Sequence, residues 1–282
     1  MVKQTIQFLL RKYFLEIQTA SNNMKKVYFL SDAHLGSWAL EHRRTQERRL
    51  VSFLDKIKHD AAAIYLLGDM FDFWYEYKYV VPKGYTRFLG KVSELTDAGV
   101  EVHFFTGNHD QWCIDYFQQE CGMIVHREPF LTEIMGKEFF LAHGDEFSPE
   151  KSYHLMRRMF RNRFLRFMFS TIHPRWSIWM GNSWARYSMI QHKVKGDTPF
   201  LGEDKEPCIQ YAKRYLEVHD TVDCFIFGHR HCDEDLMIGD RARCILLGDW
   251  IYTFAYVVYD GKTISHERYV EGDGSLIVSQ SE

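Results

Sequence analysis

Residues with metal-binding side chains follow several short apolar runs of this chain. Each run ends in a small residue and then in a carboxylate, an amide or an imidazole. Two carboxylates, one amide oxygen and four imidazoles without a thiolate suit a borderline divalent ion, and they argue against a structural zinc site or a calcium site. These candidate ligands are Asp32, His34, Asp69, Asn108, His143, His229 and His231.

The number of candidate ligands predicts two ions rather than one. Seven side chains exceed the coordination of a single tetrahedral ion, and they fit two ions that share one bridging carboxylate. Two divalent ions roughly 3.5 to 4 Å apart lower the pKa of a water molecule, supply a nucleophile near neutral pH and neutralise charge on phosphoryl oxygens. We therefore expect hydrolysis at phosphorus, with two manganese ions as the first candidate cofactors and iron, zinc or cobalt as the alternatives.

Five apolar, β-prone runs must position these side chains. Their continuous apolarity is typical of strands that are covered on both faces, and the carboxyl ends of parallel strands meet at one edge of a sheet. The segments 41–59 and 85–98 between the early runs are compatible with helices, so the order of elements predicts an α/β domain. The runs are KKVYFLSDAH, AAAIYLLGD, VEVHFFTGNHD, KEFFLAHGD and VDCFIFGHRH.

The last part of the chain predicts further strands. The segments ARCILLGDW and FAYVVYDGKTISHERYV are rich in β-prone residues. Asp260 and Gly261 separate two such runs and predict a hairpin turn. We expect the domain to end in a β-meander.

Composition and charge exclude several classes of protein. With 46% hydrophobic and 26% charged residues, the chain of 282 residues is typical of a folded globular protein. The formal net charge of -3 argues against nucleic acid as a partner bound through overall basicity. Six cysteines without a Cys-x-x-Cys pair, and no secretory signal, predict a reduced cytoplasmic protein. No apolar run approaches the roughly 18 residues that a membrane-spanning helix requires.

Residues 1–23 predict an amphipathic N-terminal helix. Their apolar residues recur at the spacing of one helical face, at Ile6, Leu9, Leu10, Tyr13, Phe14 and Ile17. One interpretation is a helix docked on its own domain. The other is a helix on a membrane surface, with Lys3, Arg11 and Lys12 available for anionic lipid. We favour the first.

The blocks DAH, GDMFD, GNHD, HGD and GHRH resemble, in order and spacing, the five-block signature of the calcineurin-like metallophosphoesterases. The resemblance spans residues 32–231 and implies a four-layer α-β-β-α sandwich, here with a helical insertion. It implies that Asp32, His34, Asp69 and His231 hold one ion, and that Asp69, Asn108, His143 and His229 hold the other. One difference from the signature is Arg230, which stands between the last two histidines where the family usually has Ser or Thr.

The resemblance also implies roles for the residues that follow Asn108. His109 would contact the transition state or protonate the leaving group, and Asp110 would orient His109. Within the family, GDMFDFW at 68–74, a basic insertion and LGDW at 247–250 are most similar to the UDP-2,3-diacylglucosamine pyrophosphohydrolases of lipid A synthesis. That similarity implies a phosphorylated lipid-sugar substrate, release of UMP and 2,3-diacylglucosamine 1-phosphate, and peripheral attachment to the inner membrane. Well-known members of that group carry Arg at the position of His109.

The segment 146–200 predicts a helical cap inserted into a metallophosphoesterase domain of residues 24–282. It contains ten Lys or Arg residues, three Asp or Glu residues and eleven aromatic residues. One interpretation is that it forms ordinary helices whose apolar residues, from Leu155 to Met168, pack as core. We favour a cap whose apolar side receives acyl chains and whose arginines meet phosphate or anionic lipid. The predicted substrate contacts are Tyr153, Arg157, Arg161 and Lys193.

Two other functions fit the same motifs. The chain could be a metallophosphoesterase of this fold that acts on another phosphodiester, a nucleotide or a phosphoprotein. It could also be a non-catalytic scaffold of the same fold, although the presence of every expected ligand argues against that interpretation. The sequence does not predict the oligomeric state.

Overall fold

A computed structural model describes residues 25–38, 40, 42–194 and 200–270. The strands in this part of the chain are β1 (Lys26–Leu30), β2 (Ala61–Leu66), β3 (Glu101–Phe105), β4 (Ile124–His126), β5 (Phe130–Ile134), β6 (Lys137–Ala142), β7 (Cys224–Phe227), β8 (Asp233–Ile238), β9 (Ala242–Leu247), β10 (Ala255–Tyr259) and β11 (Ile264–Arg268). The helices are α1 (Arg43–Ile57), α2 (Thr86–Asp97), α3 (Tyr116–Cys121), α4 (Lys151–Arg161), α5 (Arg163–Ser170), α6 (Pro174–Val194) and α7 (Pro207–Leu216). The helix predicted over residues 1–23 lies outside the described residues.

The strands form two mixed sheets. The first sheet has the order β11-β10-β1-β2-β3-β4, in which β1 to β4 are parallel. The second has the order β5-β6-β7-β9-β8, in which β6, β7 and β9 are parallel. Each sheet carries antiparallel strands at its edge, namely β10 and β11 in the first and β5 and β8 in the second.

Alternate residues of a single strand pack into different hydrophobic layers. In β1, Tyr28 and Leu30 face a core formed with α1, α2 and α3, whereas Val27 and Phe29 lie between the two sheets. In β7, Phe225 and Phe227 face a third core formed with α7. The strands are therefore apolar on both faces, which is why their sequences are continuously apolar rather than alternating. The layers run helix, sheet, sheet, helix, and this confirms the predicted four-layer sandwich.

Most predicted elements are present, but the predicted β-meander is wrong. The segments expected to be helical contain α1 and α2, and the turn at Asp260 and Gly261 joins β10 to β11. However, β9 belongs to the second sheet and β10 to the first. The chain crosses between the sheets after β9, because β10 pairs with β1 rather than with β9. Local β-propensity identifies a strand and cannot identify its distant partner.

Three helices, α4, α5 and α6, occupy the segment expected to form a cap. The face of α6 lies against the core loop after β2, where Gly181 packs directly on the ring of Phe73. Core side chains also bond carbonyls of the cap helices: Trp112 Nε1 donates to the Phe160 carbonyl at 2.8 Å, and the Tyr75 hydroxyl donates to the Arg166 carbonyl at 2.9 Å. None of the helices in the described ranges is both long enough and apolar enough to cross a membrane.

Candidate metal centre

The two sheets bring the candidate ligands together at one edge of the sandwich. Asp32 and His34 follow β1, and their backbone N–H groups donate to carbonyls of the loop after β2 at 3.0 and 2.9 Å. The second sheet is joined to this edge by His229, whose backbone N–H donates to Asp32 Oδ2 at 2.8 Å. The loops that follow β1, β2, β3, β6 and β7 therefore meet in a single site.

Three groups of described side chains have the spacing expected of metal ligands: one is His34, Asp72 and His109, and the other two consist of predicted ligands. Within each group the ligand atoms lie within 4.8 Å of one another. Asp69 reaches towards both groups of predicted ligands, because its Oδ2 is 3.3 Å from His143 Nε2 and 3.8 Å from His34 Nε2. Ligands about 2.0 to 2.2 Å from a common ion lie about 3 to 3.5 Å apart, so these separations suit ions placed between the side chains. The first group of predicted ligands is Asp32, His34 and His231, and the second is Asp69, His143 and His229.

Buried polar atoms without a hydrogen-bond partner support the same interpretation. Among the described residues, Asp32 Oδ1, Asn108 Oδ1, His143 Nε2 and His34 Nε2 are such atoms. An unsatisfied buried acceptor is unfavourable unless something else contacts it. Coordination of a divalent cation would satisfy these atoms, and the donor set of carboxylate, amide and imidazole suits such a cation. The residues present therefore fit a pair of divalent ions.

The backbone at the site is held in a conformation that side chains rarely adopt. Eight non-glycine residues in the described part of the chain have a positive φ, and five of them are candidate ligands. Strained backbone of this kind persists only where surrounding contacts determine it, and it concentrates at functional sites. The five ligands are Asp32, His34, Asp69, His229 and His231, with φ between 41° and 65°.

Carboxylates around the centre control the charge of the imidazoles. Burial opposes ionisation of His143, but the carboxylates of Asp69, Asp32 and Asp145 together outweigh burial and hold the pKa of His143 well above its usual value. Burial likewise opposes ionisation of Asp69, yet His143 and His109 keep its pKa well below the usual range. His229 differs, since burial and the neighbouring His143 lower its pKa to about 4. Divalent ions compete with protons for such ligands, so metal binding here is expected to release protons.

Two carboxyl groups and a carbonyl orient the imidazoles, and the sequence interpretation missed both carboxyl groups. His143 Nδ1 donates to the Leu67 carbonyl at 2.8 Å, which leaves Nε2 facing the centre. Asp72 Oδ1 lies 3.5 Å from His34 Nδ1, and Asp249 Oδ2 lies 3.7 Å from His231 Nδ1. Such partners fix the orientation of ligating histidines and increase their basicity.

Asp145 is the third missed carboxyl group. It directly follows the HGD glycine, is 2% exposed and contacts the cap. The signal for all three groups was present in the motifs, because each is an additional Asp in GDMFD, HGD or LGDW. Burial, which separates such residues from surface turn formers, was not visible in the sequence.

His109 lies at the site, but the prediction that Asp110 orients its ring is wrong. His109 Nδ1 is 2.7 Å from the Asp72 carbonyl, and the ring packs edge-on against His34 with centroids 4.8 Å apart. The carboxylate of Asp110 instead accepts hydrogen bonds from the backbone N–H groups of Met70 and Gly107, both at 2.8 Å. Asp110 therefore joins the loop after β2 to the loop after β3.

The four predicted substrate contacts have different surroundings. The Tyr153 hydroxyl donates to Asp145 Oδ2 at 2.9 Å, and Arg157 Nε lies 3.1 Å from the same oxygen. Both residues therefore tie α4 to the loop that carries His143. Arg161 instead pairs with Glu128 at 2.8 Å and donates to the Arg127 carbonyl at 3.2 Å. Lys193 belongs to α6, and its side chain lies outside the described part of the structure.

A largely apolar cavity of about 200 Å³ lies between the cap helices and the loops after β2 and β3. Asn108 and His109 form part of its wall on the side of the centre. The His109 ring also packs on Trp184 of α6, with centroids 5.3 Å apart. The apolar residues that line the cavity are Phe73, Trp112, Phe160, Phe169, Met180 and Trp184.

A family model and the sequences of known enzymes both match this chain over most of its length. The model of the calcineurin-like phosphoesterase family matches residues 25–233. The UDP-2,3-diacylglucosamine hydrolase of Porphyromonas gingivalis is 46% identical over 250 residues, which are 85% of this chain and 95% of that protein. The enzyme of the same name from Neisseria gonorrhoeae is 26% identical over 92% of this chain and all of that protein. Among solved structures, the Escherichia coli phosphoesterase Yfce is 16% identical over 85% of this chain and 91% of that chain, with a TM-score of 0.41.

Proposed function

Because this chain belongs to the calcineurin-like phosphoesterase family, we propose that it hydrolyses the pyrophosphate bond of UDP-2,3-diacylglucosamine. The products would be UMP and 2,3-diacylglucosamine 1-phosphate. The observation that supports this substrate most strongly is the 46% identity to the P. gingivalis hydrolase over 95% of that enzyme. The apolar cavity beside the candidate metal centre is consistent with a substrate that carries both phosphate and acyl chains.

We propose that the two groups of ligands hold two divalent ions. Asp32, His34, Asp69 and His231 would bind one ion, and Asp69, Asn108, His143 and His229 would bind the other. When bound, such a pair supplies a nucleophilic water near neutral pH and neutralises charge on the phosphoryl oxygens. Manganese is the first candidate, because carboxylate and imidazole donors without thiolate accept it readily.

The other residues at the centre would hold the reacting groups in place. Asp69 would bridge the ions, since its Oδ2 faces both His34 and His143. His109 would contact the phosphoryl group from the cavity wall, with its ring fixed by the Asp72 carbonyl. Tyr153 and Arg157 would position the cap rather than bind substrate directly, because their contacts with Asp145 hold α4 against the loop that carries His143.

The cavity under the cap would receive an acyl chain of the substrate. Its walls are mainly aromatic and apolar, and Gly181 allows α6 to pack closely on Phe73. Burial of a methylene group contributes about 0.8 kcal/mol, so an acyl chain there would provide much of the binding free energy. Interactions with a remote group of this kind can also position the pyrophosphate for attack.

The substrate assignment is tested by product identification. Manganese-loaded protein would be offered UDP-2,3-diacylglucosamine, UDP-N-acetylglucosamine and a simple phosphodiester. We expect UMP release from the diacylated substrate, with kcat/KM at least about 100-fold above that for the unacylated sugar nucleotide. In water enriched in oxygen-18, label in UMP would identify attack at the α-phosphorus.

Two results would contradict this assignment. Rapid turnover of the simple phosphodiester without UMP release from the lipid would indicate another metallophosphoesterase. Fewer than one bound ion per chain after manganese loading would indicate a non-catalytic scaffold.

We also propose that the cap rests on a membrane surface. Helices α4, α5 and α6 contain no Asp or Glu, and they carry arginines among large apolar side chains. Apolar side chains of this number and exposure do not pack in the hydrophobic core of the protein. Together with the positive charge of the arginines, they suit the surface of an anionic bilayer. The apolar residues, 42% to 67% exposed, are Leu155, Met159, Phe164, Leu165, Phe167, Met168, Trp176, Trp179, Met180 and Tyr187.

Replacement of Phe164 and Phe167 by Glu should weaken binding to vesicles. These side chains are 67% and 63% exposed, so we expect the fold to be retained. Co-sedimentation with vesicles of phosphatidylcholine and phosphatidylglycerol should fall at least about tenfold, because each change removes apolar area and adds negative charge. The matched control is Val218→Glu, beyond α7, where the side chain is 77% exposed. Equal loss in the control, or no loss in the double variant, would exclude the cap as the docking surface.

A further inference from the structure

Arg230 stands between two candidate ligands that belong to different ions, His229 and His231. Its guanidinium makes two contacts with one carboxylate: Nε is 2.5 Å from Glu206 Oε1, and Nη2 is 3.2 Å from Glu206 Oε2. Two parallel contacts of this kind fix the relative orientation of the partners. Arg230 therefore has a defined partner outside the loop that carries it.

Glu206 is buried and rigidly placed. It is fully buried and directly precedes the first residue of α7. Its backbone N–H donates to the Gly202 carbonyl at 3.0 Å, and its own carbonyl accepts from Gln210 at 2.9 Å. The next turn of α7 packs on the outer face of the second sheet through Cys208 and Ile209, both fully buried. The carboxylate is therefore held on the outer side of the sheet that ends in the histidine loop.

The backbone of the loop that contains Arg230 is strained, and the ion pair with Glu206 is a contact from outside the loop that can stabilise it. His229 and His231 have φ values of 65° and 52°, so Arg230 lies between two residues in the left-handed region. Left-handed backbone in non-glycine residues is costly, and it persists only where the surroundings determine it. Within the loop, the Arg230 N–H donates to the Gly228 carbonyl at 2.7 Å, which forms only a tight local turn. The guanidinium contact joins that turn to a separate helix.

We infer that Arg230 is a positioning residue, whose ion pair with Glu206 holds the loop of His229 and His231 so that both histidines face their ions. This inference depends on the proposed two-ion centre. Because Arg230 is paired with Glu206 at the start of α7, it is not assigned to substrate phosphate. The pair also explains why this chain has a large cation where the family signature usually has a small hydroxyl residue.

Substitutions at the Arg230–Glu206 pair should affect manganese affinity and the melting temperature of the metal-free protein differently. Arg230→Met alone leaves Glu206 buried without its partner, so this variant is expected to lose stability as well as metal affinity. The double variant Arg230→Met with Glu206→Gln removes both charges, and its metal-free form should regain a melting temperature close to that of the wild type. Its affinity for manganese should still be about 10-fold to 100-fold weaker, because the loop has lost its contact with α7. Arg230→Lys should be intermediate, since an ammonium group cannot make the paired contact.

The experiment uses the full chain, first treated with chelator and then titrated with manganese alone in a calorimeter. Electron paramagnetic resonance of the loaded protein reports whether the two manganese ions are still close enough to couple. The control is Arg241→Met, which removes an exposed ion pair with Asp220 and should leave affinity and spectrum unchanged. Wild-type affinity and coupling in a stable double variant would overturn the inference, as would a wild-type protein that binds fewer than two ions. If the wild type binds two coupled ions but does not hydrolyse the UDP-lipid, only the proposed substrate fails.

Discussion

Asp69→Asn is expected to reduce kcat/KM at least about 1000-fold while the metal-free protein remains folded. The substitution keeps the shape of the side chain and the Oδ1 acceptor, which receives the His109 N–H at 2.8 Å. It also keeps the backbone, because Asn tolerates the left-handed region that Asp69 occupies at φ 51°. The change therefore removes mainly the negative charge that would bridge the two ions.

Asp69→Asn should also distinguish an effect on turnover from an effect on the stability of the metal-free protein. Asp69 is 2% exposed and raises the pKa of His143 in the metal-free protein, so we expect the neutral amide to release the His143 proton rather than to unfold the chain. The wild type should gain about 2.7 kcal/mol of stability at a manganese concentration 100 times Kd, and the variant should gain much less. Thermal unfolding with and without manganese measures both effects. Asp97→Asn, at an exposed carboxylate of α2, is the control and should match the wild type. Normal turnover by Asp69→Asn would rule out a bridging carboxylate at this position.

Gly107→Ala is expected to reduce kcat/KM by about 100-fold, because a Cβ at this position displaces a ligand. The added methyl group would overlap the carboxylate of Asp69 and approach its backbone nitrogen to 2.6 Å. That backbone is also held by Asp110, which accepts from the Gly107 N–H and the Met70 N–H. The overlap cannot be relieved by a side-chain rotation alone, so we expect a loss of stability of about 1 to 3 kcal/mol as well.

Gly90→Ala provides the matched control for Gly107→Ala. Gly90 lies in α2, and a Cβ there meets no atom within 4 Å other than the adjacent backbone of its own helix. Alanine in a helix is more favourable than glycine by about 0.5 to 1 kcal/mol, so the control should be slightly more stable and fully active. Manganese titration, activity and urea unfolding of both variants test the comparison. If Gly107→Ala bound manganese as tightly as Gly90→Ala does, the close approach of the two ligand loops would not matter for the site.

The candidate ligands could be predicted because metal chemistry restricts their types. Asp32, Asp69 and His143 each follow a run that is apolar on both faces, and such runs are recognisable without knowledge of their partners. The resemblance to a known family then supplied the arrangement into two ions. The structure places the residues of both predicted groups at one site, and their assignment to ions remains a prediction for the experiments above.

The outer contacts of the site could not be predicted, since they join residues far apart in the chain. Glu206 and Arg230 are separated by 24 positions, and no local pattern distinguishes a buried Glu before a helix from an exposed one. Asp110 was assigned to His109 because the two are adjacent, whereas its hydrogen bonds go to the loop after β2. Adjacent residues of an extended or turning chain often point in different directions, so proximity in sequence is a poor guide to contact.

The sequence by itself determined the chemical types of the ligands, the strands that carry them and the basic, apolar composition of the cap, because these depend on side-chain chemistry and local periodicity. Only the tertiary structure decided which strands share a sheet, which carboxylates orient the histidines, and that Leu155, Phe164 and Phe167 are exposed rather than core. Exposure and pairing are set by contacts between distant segments. A helical apolar stripe has the same spacing whether it packs on a protein core or faces a membrane.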